Sequence, residues 1–490
     1  MSAPGYRKRL TALLIGLLLF RFWLGQSFEL TAREAYIWLL SEGPYFSATY
    51  LNQGPLTPWL TALGTLLFGD TVLGVRWLAA VIYCGSGFLI FYGARRWFGV
   101  DVAFWCVVAF ICMPLYAWKL TLMGNAVVSL GLMTLAMFTY REAVSTGRIH
   151  WWASAGLVTG LSLLVSPYNG MWGVGLLLFL AIEPKHVRLF TKPGPYLFLG
   201  CTGLIIAIAF ALKLATGSPY SPLQWNSVSA EFGGVYNPKI FYRMEFWMMG
   251  PALTLGFLVA LAFGWRQAVT QRRYSLFLLM SLPGILLQNL LALWKSGDVE
   301  LMPALCLPLL LLAVNLWVHL AERRKLWVNL GFVLLVLAAA QSITGMIPTT
   351  GKDLNSGLFN RYSWKQLAIK VRQEGISRGL YNQCFASDPA IASALSFYLQ
   401  SDAGLKPIYT PQDPGNPHTV FDLQRLEREP NTDAIYISRK GRGVDFPWLQ
   451  KQYKEITPFT DDLPPDFSDE QAEFELYSCR SPMRVNIPID

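Results

Sequence analysis

Residues 28–59 lie between two strongly apolar segments and concentrate side chains that can bind or transfer a charged group. The stretch FELTAREAYIWLLSEGPYFSATYLNQGPLTPW contains the adjacent Arg33 and Glu34 and the amides Asn52 and Gln53. A guanidinium can bind a phosphate bidentately, and a carboxylate can accept a proton. Amides can hydrogen-bond a sugar or a phosphate, but they are not general bases at about pH 7. A polar loop of this length between packed elements is usually functional.

Three further cations, Arg76, Lys119 and Lys295, stand near the ends of apolar blocks. An unpaired charge is costly there, which favours a role with a phosphate or a carboxylate. Simpler interpretations stay open for the whole set. Arg33 and Glu34 can pair with each other or face water, the amides can cap loops, and Lys295 can join a local ion network with acids at 298 and 300.

Composition identifies the elements that must position these residues. Hydrophobic residues make up 53% of the chain and charged residues 14%, and the apolar residues occur in blocks long enough to cross a hydrocarbon core. The sequence therefore predicts a polytopic α-helical membrane protein with about eleven spans, or up to about thirteen if some blocks are split differently. The predicted spans are 10–26, 72–94, 101–118, 125–141, 151–166, 168–183, 195–214, 246–264, 274–294, 301–320 and 326–347.

The positive residues predict the orientation of these spans. The formal net charge of +9 comes from arginines and lysines that cluster in alternate short loops, beginning with Arg7, Lys8 and Arg9. Cytoplasmic loops carry such an excess, so we expect a cytoplasmic N-terminus and find no reason to expect a nucleic-acid partner. The first span resembles a signal peptide without a cleavage site and is interpreted as an uncleaved helix. The outward-facing loops would then include 27–71 and 215–245.

The chain changes character near residue 349, so we predict a transmembrane domain over 1–348 and an extracytoplasmic α/β domain over 349–490. Short strands and amphipathic helices alternate there: NQCFAS, PIYT and DAIYISRK are typical of strands, and AIASALSFYLQ and VFDLQRLERE of helices. If the source is a bacterium, this compartment is oxidising, which favours a Cys384–Cys479 disulfide. Two unpaired buried thiols are the alternative.

At these residues the chain resembles the bacterial branch of the protein O-mannosyltransferase and aminoarabinose lipid A transferase group, integral-membrane glycosyltransferases of the GT-C type. The similarity extends along nearly the whole chain, and the order and spacing of its parts are specific. The matching stretches are AREAYIW to WLAAV (32–81), KLTLMGN to YREA (119–143), GLSLLVSPYNG to LLLFL (160–180), LPGILLQN to CLPLLLL (282–312), SDPAIASALSFYL (387–399) and PIYTPQ (407–412).

The sequence departs from this family at the positions that carry its chemistry. Where the family usually has an Asp-Glu pair, this chain has Arg33-Glu34. Where the family commonly shows Asp, then His or Lys, then Pro-Pro, this chain has Asn52, Gln53, Gly54 and Pro55. The third-to-fourth helix turn, which commonly carries Asp, has Gly124-Asn125. Three usual carboxylate positions are therefore Arg, Asn and Asn.

The resemblance implies transfer of a sugar from a polyprenyl-phosphate carrier to a glycan, lipid or protein acceptor at the outer face of a bacterial inner membrane. The expected mechanism is a single displacement with inversion, in which Glu34 orients or deprotonates the acceptor. Arg33, Asn52, Gln53, Arg76, Lys119, Asn125 and Lys295 would bind the sugar or the phosphate, and Glu231 and Glu245 are reserve bases. No cofactor is certain; a divalent ion stays an open alternative, weakly supported because the loops retain few clustered carboxylates.

Two other functions stay open. A non-catalytic relative that kept the fold but lost the acids could act as a lipid-carrier-binding or partner subunit. A transporter would require charged or broken helices at mid-membrane and often an internal repeat, neither of which the sequence displays.

Overall fold

The computed structural model describes residues 3–42, 54–117, 119–182, 187–216, 274–293, 301–323, 364–380, 383–400, 408–409, 432–439, 449–450, 453–458 and 474–482, with single helical positions at 333, 336, 337 and 340. The chain divides into two compact units. The first contains the described residues of Met1–Phe28, Phe46–Ala230 and Val235–Asn355, and the second contains those of Glu29–Tyr45 and Ser356–Asp490.

The described part of the first unit is helical. Its helices are α1 (Ala3–Ser27), α3 (Leu56–Phe68), α4 (Val72–Phe98), α5 (Val100–Cys112), α6 (Pro114–Ala117), α7 (Asn125–Thr146), α8 (Ile149–Leu163), α9 (Gly170–Ile182), α10 (Pro193–Thr216), α11 (Ser275–Leu293) and α12 (Met302–Arg323). Short 3-10 turns occupy Lys119–Thr121, Pro167–Asn169 and Arg188–Thr191. Among the described residues, five stretches are long and apolar enough to cross a membrane: Leu10–Ser27, Val72–Phe98, Asn125–Thr146, Pro193–Ala215 and Met302–His319.

Helices occupy the predicted spans between 10 and 214 and those at 274–294 and 301–320. The span expected at 246–264 lies outside the described residues, and only isolated positions of 326–347 are described. The stretch 27–71, expected as one outer loop, contains two helices, α2 (Ala32–Ser41) and α3. Their apolar runs YIWLL and LTPWLTALGTLLF are short, which is why neither was counted as a span.

Small residues let neighbouring helices approach closely. Gly156 and Gly160, four residues apart on α8, lie against Phe198 and Ile205 of α10, where an added methyl group would overlap backbone or side-chain atoms. Thr202 of α10 donates a hydrogen bond to the Gly156 carbonyl at 3.0 Å. This is the small-xxx-small packing that membrane helices use when apolar burial alone does not favour association.

The second unit contains a five-stranded mixed sheet in the order β2 (Ile408–Tyr409), β1 (Cys384–Ala386), β3 (Ala434–Arg439), β5 (Phe474–Pro482) and β4 (Tyr453–Pro458). Strand β1 pairs in parallel with β2 and β3, whereas β5 pairs antiparallel with β3 and β4. Helices α13 (Trp364–Arg378) and α14 (Pro389–Tyr398) complete the described part of this region. Strands β1, β2 and β3 lie within the predicted strand segments NQCFAS, PIYT and DAIYISRK, and α14 overlaps the predicted helix AIASALSFYLQ.

Helix α2 belongs to this second unit. Trp38 meets Phe397 of α14 edge to face, with ring centroids 5.1 Å apart. The backbone N–H of Leu30 donates to the Tyr398 hydroxyl at 2.8 Å, and the N–H of Lys365 donates to the Glu29 carboxylate at 3.1 Å. Residues 29–42 therefore pack with elements that follow them by more than 300 positions. The expected domain boundary at 348 and 349 lies outside the described residues.

The predicted disulfide is not formed, and this expectation is corrected. Cys384 and Cys479 are both free thiols. Strand β3 runs between their strands, with Cys384 opposite Ile435 and Cys479 opposite Ala434. Successive residues of β3 point to opposite faces of the sheet, so the two thiols lie on opposite faces as well. Burial raises the pKa of each thiol to about 12.

Candidate active site

A buried hydrogen bond joins the start of α3 to the start of α7 in the first unit. The Thr57 hydroxyl donates to the side-chain oxygen of Asn125 at 2.7 Å, and Asn125 is only 6% exposed. Asn125 is the first residue of α7, and Gly124 before it supplies no capping side chain. The structure therefore places this predicted site residue in a desolvated setting, where hydrogen bonds are strong.

The motif around Gly54 docks against the end of α8. The N–H of Leu56 donates to the Leu164 carbonyl at 3.3 Å. A Cβ atom at Gly54 would overlap the carbonyl oxygens of Leu164 and Val165, so only glycine fits this approach. Asn52 and Gln53, the amides that precede Gly54 in the sequence, lie outside the described residues.

A second amide extends the same region, and the sequence analysis did not single it out. Asn169 is 1% exposed, and its Nδ2 donates to the Ser129 hydroxyl of α7 and to the Ser162 carbonyl of α8, each at 2.9 Å. Its signal in the sequence was the Ser-Pro-Tyr-Asn break between two apolar runs. We call Thr57, Asn125, Ser129, Ser162 and Asn169 the amide cluster. Its side chains can orient hydroxyl groups but cannot abstract a proton.

Two buried arginines of the first unit donate hydrogen bonds to backbone carbonyls at helix ends. Arg76, a predicted phosphate ligand, is buried, and its Nη1 donates to the carbonyls of Gly25 and Phe28, each at 2.9 Å. It thereby satisfies backbone acceptors at the end of α1, where intrahelical partners run out.

Arg21 is the second of these arginines, and it was missed in the sequence analysis. Its guanidinium donates to the carbonyls of Tyr116, Ala117 and Leu120 and to the Thr121 hydroxyl, at 2.7–3.4 Å. Its central carbon also lies 3.4 Å from the ring centroid of Tyr83. The signal for it was an arginine inside the apolar run 10–26, a position where charge is costly and usually functional.

The carboxylate candidate that the structure describes, Glu34, lies in the second unit at the start of α2. The Oε2 atom of Glu34 accepts hydrogen bonds from the Thr31 N–H at 3.0 Å and the Thr31 hydroxyl at 3.1 Å. The Glu34 N–H in turn donates to the Thr31 hydroxyl at 3.2 Å, which completes a capping box. Glu34 is 1% exposed, and its neighbour Arg33 is partly exposed. The carboxylate therefore has an observed structural role, while its catalytic role stays a prediction.

The other predicted site residues are described only in part or lie outside the described residues. Lys119 begins a 3-10 turn, but its side chain is not described. Lys295, Glu231 and Glu245 lie outside the described residues. Within the part of the chain that the structure describes, no group of three His, Cys, Asp or Glu side chains could hold a metal ion.

Comparisons with known proteins bear on both the sequence and the fold. Residues 52–212, which include the amide cluster and Arg76 but not Glu34, match the family model described as dolichyl-phosphate-mannose-protein mannosyltransferase. No curated protein sequence matches the chain.

The structure of ArnT from Cupriavidus metallidurans in the apo state is similar, with a TM-score of 0.60 and 14% sequence identity over 96% of this chain and 98% of that one. The structure of the same protein bound to undecaprenyl phosphate has a TM-score of 0.59 and 13% sequence identity over 97% of this chain and 98% of that one. The oligosaccharyltransferase of Archaeoglobus fulgidus, in complex with Zn and sulfate, has a TM-score of 0.52 and 12% sequence identity over 86% of this chain and 68% of that one. The resemblance to membrane glycosyltransferases predicted from the sequence is thus confirmed, by a family model over residues 52–212 and by a fold shared with ArnT and an archaeal oligosaccharyltransferase.

Proposed function

We propose that this chain is a membrane glycosyltransferase that moves a sugar from a polyprenyl-phosphate carrier to an acceptor at the outer face of the bacterial inner membrane. The amide cluster is the observation that carries the proposal. It gathers side chains from α3, α7 and the 166–169 turn around a backbone carbonyl of α8, all within the region that matches the mannosyltransferase model. Its hydroxyl and amide groups suit a sugar, whose hydroxyls both donate and accept hydrogen bonds.

The carrier class rests on the similarity in fold to ArnT, which has been solved with undecaprenyl phosphate. The departing phosphate of such a carrier must be stabilised as charge develops on it. The cations Arg33, Arg76, Lys119 and Lys295 are proposed for this role, because charge-assisted hydrogen bonds to phosphate are the stronger kind. The proposed mechanism uses these cations, and a divalent ion stays an open alternative for the same role.

Glu34 is the proposed base. In the proposed single displacement, its carboxylate orients the acceptor hydroxyl and takes its proton as the anomeric carbon passes through an oxocarbenium-like transition state. The new glycosidic bond forms as the bond to the carrier phosphate breaks, which inverts the anomeric centre. Both bonds from Thr31 end on Oε2, so capping fixes the orientation of this carboxyl group.

The test uses the full chain in lipid nanodiscs with a panel of radiolabelled polyprenyl-phosphate sugars and membrane extract as acceptor. We expect label transfer from at least one donor and release of the carrier phosphate, and Asn125→Ala should lower kcat/KM by about 10-fold or more through loss of an uncharged sugar contact. Tyr140→Phe is the matched control, because it removes a different buried hydrogen bond, to the Leu176 carbonyl. Absence of transfer from every donor would overturn the proposal.

A catalytically inactive carrier-binding subunit is the second candidate. It is favoured by Arg33 and Asn125 at positions where the family carries acids, and by the use of the Glu34 carboxylate in a cap. This candidate predicts that undecaprenyl phosphate binds, as native mass spectrometry would detect, while no sugar is transferred. The double variant Arg33→Asp with Asn125→Asp would then gain transfer if the chain descends from an active enzyme.

A further inference from the structure

The buried guanidinium of Arg21 organises the turn that leads into the amide cluster. The turn begins with the four-residue helix α6, continues through the 3-10 turn Lys119–Thr121 and ends at Asn125. A helix of one turn is not stable by itself, because its last carbonyls have no intrahelical hydrogen-bond donors. Arg21 donates to the α6 carbonyls of Tyr116 at 3.4 Å and Ala117 at 2.7 Å, and to the Leu120 carbonyl of the 3-10 turn at 3.2 Å.

A fourth bond brings the contact closer to Asn125. Nη1 of Arg21 also donates to the Thr121 hydroxyl at 3.1 Å, and Thr121 in turn donates to the Ala117 carbonyl at 3.1 Å. Beyond Thr121 the chain reaches Asn125 in four residues, past the buried Met123. The Asn125 end is held by Thr57 of α3. The turn is therefore fixed by α1 at one end and by α3 at the other.

The chemistry at Arg21 requires an arginine. The planar fork reaches acceptors on several residues while its face lies on the Tyr83 ring, 3.4 Å from the centroid. A lysine ammonium carries the same charge but has neither the fork nor the flat face. Among the described residues, the bonds of Arg21 go to carbonyls and a hydroxyl and not to a carboxylate. Its role is thus tied to the backbone of this turn.

We infer that Arg21 is a positioning residue for Asn125, acting through the 116–124 turn on the transfer reaction. This inference rests on the proposed function. Misplacing a substrate-contacting group by about 1 Å can lower the rate by about 100-fold, so loss of the fork should be visible in turnover. Because Arg21 acts through Asn125, its effect should vanish once Asn125 has lost its amide.

The experiment is a double-mutant cycle on the full chain in nanodiscs, with Arg21→Lys, Asn125→Ala and the double variant. We expect Arg21→Lys to lower kcat by about 30-fold with the donor KM within about 3-fold, and the double variant to be no slower than the slower single variant. Arg96→Gln is the control partner, because Arg96 forms an ion pair with Glu142 at 2.9 Å near the other end of α7. Its effect should multiply with that of Asn125→Ala.

Multiplicative effects in the Arg21 cycle, or a rise in donor KM without a fall in kcat, would overturn the inference and indicate direct phosphate binding. Hydrogen exchange separates this result from a failure of the proposed function. Even if no donor is turned over, Arg21→Lys should speed amide exchange in peptide 114–124 by about 10-fold and leave the 187–193 segment unchanged. Unchanged exchange in 114–124 would overturn the inference independently of any activity.

Discussion

Helices α2 and α7 begin in opposite ways, and the first turn of each carries a residue that the sequence analysis predicts for the site. At α2, Thr31 and Glu34 cap each other reciprocally, and the carboxylate is part of the fold. At α7, no side chain caps the helix, and the Asn125 oxygen accepts instead from a different helix. The Glu34 carboxylate is thus tied to the local structure of its own helix start, whereas the bond of the Asn125 amide to Thr57 is a tertiary contact.

The largest expected effect concerns Gly54, which precedes α3, the helix whose Thr57 bonds Asn125 at the start of α7. Gly54→Ala should lower the free energy of unfolding by about 3 kcal/mol or more, because the new methyl group meets the carbonyls of Leu164 and Val165, and neither is a flexible side-chain end. Thermal unfolding in detergent and the transfer assay measure the loss. Gly85→Ala is the matched control, since a Cβ there meets nothing within 4 Å. Equal stability of the two variants would contradict the docking of Gly54.

Two substitutions at the start of α2 separate the capping role of Glu34 from its proposed catalytic role. Glu34→Gln keeps an oxygen that can accept the Thr31 bonds but removes the charge, so stability should hold while transfer falls by about 100-fold if the carboxylate is the base. Thr31→Ala should do the reverse, costing about 1 kcal/mol of stability while transfer is retained. Steady-state kinetics beside thermal unfolding separates the two. Full activity in Glu34→Gln would assign this residue to the cap alone.

A smaller effect tests the bond that defines the amide cluster. Thr57→Val removes the donor to Asn125 at nearly constant volume and should cost about 1–2 kcal/mol, because a buried hydrogen bond to the amide oxygen is lost. The measurement is chemical denaturation together with kcat/KM. Thr65→Val on the same helix is the control, because its hydroxyl only returns to the Ala62 carbonyl. Indistinguishable variants would exclude the Thr57–Asn125 bond.

The smallest effect concerns the sheet of the second unit, with which α2 is grouped. Reductant should leave the gel mobility unchanged, because Cys384 and Cys479 are free thiols. Burial raises both pKa values to about 12, so at about pH 8 only about one thiol in 10,000 is ionised and alkylation of the folded chain is slow. Labelling should rise as the pH approaches about 12 or on denaturation. Peptide mass spectrometry identifies the labelled residues, and a reductant-dependent mass shift would contradict the assigned register.

Much of the helical layout could be predicted from the sequence, because apolar runs of membrane-spanning length fold as helices wherever they pack. The runs at 72–94, 125–141 and 195–214 coincide with α4, α7 and α10 for this reason. The family resemblance was likewise carried by local motifs in order. The outward orientation rests on charge alone and stays a prediction.

The sequence by itself determined which side chains were available: the Arg33-Glu34 pair, the amides at 52, 53 and 125, and an arginine inside the first apolar run. Only the tertiary structure decided their surroundings, because contacts between residues distant in the chain depend on packing rather than on local pattern. It grouped α2 with α14, set Arg21 against the 116–121 turn, and joined Asn125 to Thr57. The strand register determined that the two thiols do not meet, since a single intervening strand and a one-residue offset place Cys384 and Cys479 on opposite faces of one sheet.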